Sequence, residues 1–173
     1  MANNNHLIDN YIDALLVEAV ERKKELNTET LTTVYLGGGT PSLLSSTQLS
    51  KLVNGLKKVF DFSDVEEFTI EVNPDDVTPE CIQQSKSLGI NRVSMGVQSF
   101  SDEDLRFINR RHTAKQATDA IHIIKEAGIN NISIDLIYGI PGQNIEIWKN
   151  NVDTAISLSV QHISAYTLMY EEG

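Results

Sequence analysis

Cysteine is almost missing from this chain: Cys81 is the one cysteine in 173 residues. A single thiol excludes an internal disulfide framework. It equally excludes any multi-cysteine zinc or iron–sulfur site built within these residues. Basic residues are also scarce, 14 Lys+Arg against 24 Asp+Glu, for a formal net charge of -10. Nucleic-acid binders need a cationic footprint, so a phosphate-backbone partner is excluded. Docking on anionic lipid is disfavoured for the same reason. No apolar run approaches the about 18 residues that a membrane-spanning helix needs. The opening Met-Ala-Asn-Asn-Asn-His lacks the charged and apolar regions of a signal peptide. These absences leave a soluble, acidic globular protein of a reducing, cytoplasmic compartment. What is present suits that class. Hydrophobic residues make up 40%, and a chain of this length buries about two-thirds of its unfolded surface without staples. No linker divides it, so residues 1–173 read as one domain.

Helical and strand patterns alternate. Leu7, Ile8, Tyr11, Ile12, Leu15, Leu16, Ala19 and Val20 recur at helical spacing within 6–26. Thr33 to Leu36 reads as a short, fully buried strand stopped by three glycines. Ser45 with Gln48 forms a capping box before the stripe Leu49, Leu52, Val53, Leu56, Val59 and Phe60. Strands follow at Phe68–Val72, Arg92–Val97, Ile132–Ile137 and His162–Leu168. Between them lie a Thr78-capped helix stopped by Gly89 and a short helix after Ser101. A Thr113/Gln116-boxed helix stopped by Gly128 and a helix over Ile145–Leu158 complete the series. Strands alternating with helices imply parallel βαβ units with right-handed crossovers. Lys86-Ser-Leu-Gly-Ile-Asn-Arg-Val-Ser echoes Lys125-Glu-Ala-Gly-Ile-Asn-Asn-Ile-Ser. Such repetition favours a barrel-type sheet, with a doubly wound sheet as the alternative.

Parallel α/β folds bind ligands at the carboxyl ends of their strands. Those ends carry Gly37-Gly38-Gly39-Thr40-Pro41-Ser42, Glu71 with Asn73, Gln98-Ser99, Asp135 with Tyr138-Gly139, and Tyr166 to Met169. The glycines serve either a tight turn or a close backbone approach to a ligand. They do not match the phosphate-loop or dinucleotide spacings. Glu71 and Asp135 interrupt apolar strands, which points to a function at the rim. Gln98 serves either the ligand or the turn. Arg110-Arg111-His112 is either a cationic helix end or a cation pair for a carboxylate-bearing ligand. His6, His122 and His162 show no metal spacing, Cys81 reads as a small buried hydrophobe, and Tyr138 and Trp148 read as packing residues. The set suits a small zwitterion bearing hydroxyls; Glu71 and Asp135 as oxygen ligands of magnesium or calcium is a further reading.

The ordered motifs Tyr35-Leu-Gly-Gly-Gly-Thr-Pro-Ser42, Glu71-Val-Asn-Pro-Asp75, Ser94-Met-Gly-Val-Gln-Ser-Phe100, Asn109-Arg-Arg-His112, Asp135-Leu-Ile-Tyr-Gly-Ile-Pro-Gly142 and His162-Ile-Ser-Ala-Tyr166 resemble a known family. They are similar to the radical S-adenosylmethionine proteins related to oxygen-independent coproporphyrinogen III oxidase. The Arg-Arg-His-Thr stretch and the tail at 170–173 look more like the haem-chaperone branch. The resemblance implies an incomplete (β/α)6 barrel of parallel strands that holds S-adenosylmethionine and a [4Fe–4S] cluster. It implies that Gly38, Gly39 and Thr40 contact S-adenosylmethionine. Glu71, Gln98 and Asp135 would bind its polar and ribose groups, and Arg110 its carboxylate, with Arg111 as the fallback. Met169 would supply a backbone contact. The family's Cys-x-x-x-Cys-x-x-Cys cluster motif is absent. The chain therefore reads as strands two to six of the barrel, a fragment without catalytic residues, metal ligands or radical chemistry of its own. The implied parent acts in haem or porphyrin metabolism: an oxidase of coproporphyrinogen III or, alternatively, a chaperone that binds and delivers haem. Thr33–Leu36, lacking its neighbour strand, is expected to self-associate.

Overall fold

The computed structural model describes residues 2–26 and 30–169; the tail at 170–173, part of the resemblance, lies outside them. Strands β1 (Thr33–Leu36), β2 (Glu67–Val72), β3 (Arg92–Gln98), β4 (Asn131–Tyr138) and β5 (His162–Thr167) form one sheet. Its order is β1-β2-β3-β4-β5, and every pairing is parallel. A doubly wound sheet reverses direction beside its first strand. This one advances one way only, as a barrel does. Helix α1 (Ala2–Arg22) precedes β1, and helices α2 (Ser46–Val59), α3 (Pro79–Ser87), α4 (Asp102–Phe107), α5 (Ala114–Glu126) and α6 (Ile145–Ser157) fill the connections.

Local chemistry starts and stops these helices. Both capping boxes form, Ser45 with Gln48 and Thr113 with Gln116. Thr78 and Ser101 accept from the third residue of their helices, and Asn144 caps α6 in the same way. Gly89 and Gly128 take the left-handed φ, +99° and +83°, that ends α3 and α5.

The sequence echo has a physical meaning in this fold. Lys57, in the last turn of α2, donates from Nζ to Leu88 O at 2.7 Å. Lys86 in α3 donates to Ala127 O at 2.7 Å, and Lys125 in α5 donates to Leu158 O at 2.5 Å. Leu88, Ala127 and Leu158 are the C-cap residues of α3, α5 and α6. Each lysine thus neutralises the negative end of a later helix in the barrel wall.

The strands have two unlike faces. Phe68, Ile70, Val72, Val93, Met95, Val97, Ile132, Ile134 and Leu136 join one core with Leu49, Leu52, Val53, Ile82, Ala117, Ile121 and Ile124 from the helices. The alternate positions, Thr69, Glu71, Ser94, Gly96, Gln98, Ser133 and Asp135, make the opposite, polar face. The sheet edge departs from the sequence reading: β1 is not fully buried. Thr33 and Tyr35 are exposed and only Leu36 is buried, because β1 has no strand on its outer side among the described residues. Cys81 is half-buried rather than fully buried.

Candidate functional site

The polar face opens at the carboxyl ends of β2, β3 and β4 into a cavity of ≈ 270 Å³. Gly39, Thr40, Glu71, Asn73, Ser94, Gly96, Gln98, Arg110 and Asp135 line it. Six of the eight residues the resemblance names as cofactor-binding therefore meet here: Gly39, Thr40, Glu71, Gln98, Arg110 and Asp135. Gly38 stands beside them, donating its N–H to Glu71 Oε2 at 2.9 Å. Met169 lies two residues past β5, 80% exposed, and does not line the cavity.

Glu71 organises the turn after β1. Its second oxygen accepts from the Tyr35 hydroxyl at 2.8 Å, so the two carboxylate oxygens tie β2 to β1 and to the glycine turn that follows it. Gly38 and Gly39 sit at φ +77° and +65°, a conformation that costs an L-residue about 1–2 kcal/mol. Ser42 then donates to Asp76 Oδ2 at 2.7 Å and accepts from Asn73 N–H at 3.3 Å, which joins this turn to the end of β2.

Arg110 and Arg111 divide their duties. Arg111 is engaged outside the cavity, 2.8 Å from Asp75 Oδ2 and 3.6 Å from Asp76 Oδ1. Arg110 lines the cavity and forms no ion pair among the described residues. Burial pulls its guanidinium below the ordinary arginine value, and the charges of Asp75 and Asp135 partly offset this. Burial pushes the Asp135 carboxyl up; the Ser164 hydroxyl opposes that, while the Glu71 charge adds to it. A cation and two carboxylates thus share a small cavity without neutralising one another at contact distance. His112, the third member of the run, is buried and belongs to the wall. Its Nε2–H donates to Val97 O at 2.9 Å, and burial lowers its pKa.

Gly96 is there for room. A Cβ on it would stand 2.9 Å from Arg110 Nη2 and 2.9 Å from Gln98 Nε2. Gln98 itself has φ +67°, uncommon for a residue with a side chain. Ser94 and Gly96 were not singled out by sequence, although 94, 96 and 98 alternate with Val93, Met95 and Val97 and so share a face. Among the described residues, no three His, Cys, Asp or Glu side chains come together to hold a metal ion, so Glu71 and Asp135 gain no third ligand. Tyr138 packs on Trp148 with ring centroids 5.5 Å apart, as packing residues do.

The sequence profile of the Radical SAM superfamily matches residues 4–165. The chain belongs to that superfamily. It is 40% identical over 161 residues to the heme chaperone HemW of Lactococcus lactis subsp. lactis, covering 93% of this chain and 42% of that protein. It is 39% identical over 165 residues to HemW of Bacillus subtilis, covering 95% and 44%. The solved Escherichia coli coproporphyrinogen III oxidase, HemN, described as a radical SAM enzyme, superposes with a TM-score of 0.88. That likeness has 32% identity over 96% of this chain and 38% of that one. The chain thus spans less than half the length of these relatives. This radical SAM chain falls in the group that holds HemW and HemN, and its sheet is a partial TIM-like barrel. Its named curated relatives fit the haem-chaperone alternative better than the coproporphyrinogen-oxidase reading.

Proposed function

We propose that this chain is the S-adenosylmethionine-binding core of a haem chaperone. The observation that carries this is the 39–40% identity to proteins named heme chaperones over more than nine-tenths of the chain. Residues 1–173 act as one unit, strands two to six of the barrel.

The cavity suits the proposed cofactor by its chemistry. S-adenosylmethionine is a zwitterion carrying a ribose. Arg110 takes the carboxylate as a charge-assisted pair. Gln98 and Asp135 accept from ribose hydroxyls, and Glu71 receives the ammonium through lone pairs left after Tyr35 and Gly38. The backbone of Gly38, Gly39 and Thr40 contacts the cofactor, and the Met169 backbone adds a contact from the segment that follows β5. The bound cofactor supplies the chemistry of its sulfonium; these residues bind and orient it.

A [4Fe–4S] cluster does not fit the residues present. The sequence has one cysteine, and it lies on α3, where burial pushes its thiol pKa up. Cluster ligation is therefore assigned to no residue here. The same logic makes S-adenosylmethionine binding by these 173 residues alone weak, since the cluster would anchor its amino and carboxylate ends.

The test is a haem titration of the whole protein followed by Soret absorbance and transfer to an apo-haemoprotein. Saturable binding and transfer are expected. Failure to bind haem together with decarboxylation of coproporphyrinogen overturns the chaperone reading in favour of the oxidase, the second reading, which the likeness to HemN motivates.

A further inference from the structure

Asn151 lies on α6, outside every motif above, yet it is completely buried at 0% exposure. Its side chain spends all its bonds on the two residues after Gln98. Oδ1 accepts from Phe100 N–H at 2.8 Å, and Nδ2 donates to Ser99 Oγ at 3.0 Å. Ser99, also 0% exposed, donates onward to buried Asp104 at 2.7 Å.

These bonds surround an unusual piece of backbone. Ser99 N–H donates to Val97 O at 2.9 Å, across a single residue. With φ +67° at Gln98, this is a γ-turn of the rare, strained hand. The β3–β4 register shifts between Met95 and Gln98. Such strain persists only where the surroundings over-determine it, and here they act from both sides. His112 Nε2–H holds Val97 O before the turn. Asn151 and Asp104 hold Ser99 and Phe100 after it. Asp104 also accepts from Gln143 Nε2 at 2.7 Å, and Gln143 Oε1 accepts from Gly139 N–H at 3.0 Å. The end of β4, three residues past Asp135, is thereby tied into the same network.

We propose that Asn151 is a positioning residue: with Asp104 and His112 it holds the γ-turn that presents Gln98 to the ligand in the polar cavity. The proposal rests on the cofactor reading above. It separates a residue that touches the ligand, Gln98, from one that acts only through it.

The test has two readouts in the whole protein. Affinity for S-adenosylmethionine, with S-adenosylhomocysteine as an unreactive probe, is measured by calorimetry for wild type, Asn151→Ala, Gln98→Ala and the double variant. Each single change is expected to weaken binding about ten-fold, and the double variant to bind no worse than Gln98→Ala. Independently, the three-bond amide coupling of Gln98, read together with its intraresidue amide–Hα NOE, which is strongest at positive φ, reports the sign of its φ by NMR without any ligand. Asn151→Ala is expected to move it to the negative-φ value. Should Asn151→Ala fail to fold, Asn151→Asp keeps the acceptor for Phe100 and removes the donor to Ser99, and the same two readouts apply. An unchanged Gln98 coupling, or additive affinity losses, overturns the proposal while leaving the cofactor reading intact. Wild-type protein that binds neither ligand overturns the cofactor reading, and the positioning role with it.

Discussion

The glycine turn after β1 is a wall between two very different cavities. On one side lies the polar pocket of ≈ 270 Å³ with Glu71, Gln98, Arg110 and Asp135. On the other, between α1 and β1, lies a groove of ≈ 1030 Å³ lined mainly by aliphatic and aromatic side chains such as Ile8, Tyr11, Leu15, Leu36, Leu43 and Leu44. The larger cavity has no convergent chemistry. Of its charged members, Arg22 is bound to Glu18 and Glu25 at 2.6 and 3.3 Å. The smaller one holds charges kept apart from one another. Size alone therefore misleads: the pocket gathers groups that suit charge and hydroxyls, whereas the groove is an apolar surface beside β1, the edge strand among the described residues.

The largest effect should separate the two neighbouring arginines, Arg110 inside the pocket and Arg111 outside it. Arg110→Gln is expected to weaken S-adenosylhomocysteine binding by the whole protein about 100-fold, the worth of a charge-assisted pair. Arg111→Gln should change it less than about three-fold, since exposed ion pairs contribute little. Calorimetry decides, and equal losses would dissolve the division of labour between them.

Gly96→Ala should act on the pocket alone. The added methyl crowds the side-chain ends of Arg110 and Gln98 and meets Asn73 at ordinary contact distance. The folded state should survive, with Tm moved by no more than about 4 °C, while affinity falls about ten-fold, a loss near 1.4 kcal/mol. A large drop in Tm with intact affinity would show that the space belongs to the core.

The groove side yields a prediction about association. Tyr35 is 54% and Leu43 57% exposed, next to the open edge of β1. This chain is expected to self-associate in light scattering, and Tyr35→Lys with Leu43→Lys to reduce that. A clean monomer before substitution rejects the idea.

The smallest effect is a pH dependence. Burial raises the Asp135 pKa above its model-compound value of 3.8. The folded state then holds its proton where the unfolded chain has lost it, so stability falls as pH rises from 3.8 through the raised value. Asp135→Asn removes that loss. The variant should be more stable than wild type at pH 7 and lose the advantage below pH 3.8, as denaturant titrations at the two pH values would show. A variant less stable at pH 7 would mean that the carboxylate is held by more than its neighbours account for.

Much of this contrast is legible in the chain itself. Helix ends were readable because caps act within three residues: Ser45 with Gln48 and Thr113 with Gln116 behave as their spacing dictates. Glu71 and Asp135 stood out because a carboxylate in an apolar strand needs a reason. Period-2 alternation within β3 carried Ser94 and Gly96 too, but a serine and a glycine are small and uncharged and do not by themselves mark a site. The burial of β1 was misjudged because neighbours, not composition, decide whether a strand is central or an edge.

The sequence by itself determined the alternating elements, their caps, the strand-end residues and the family resemblance, since all of these rest on short-range spacing and on motif order. Only the tertiary structure decided which arginine faces the pocket, that Arg111 serves Asp75, and that Asn151, 53 positions beyond Gln98 in the chain, clamps its turn. Those are contacts between residues far apart along the chain. No local preference encodes them; they exist once parallel strands bring their carboxyl ends to one rim.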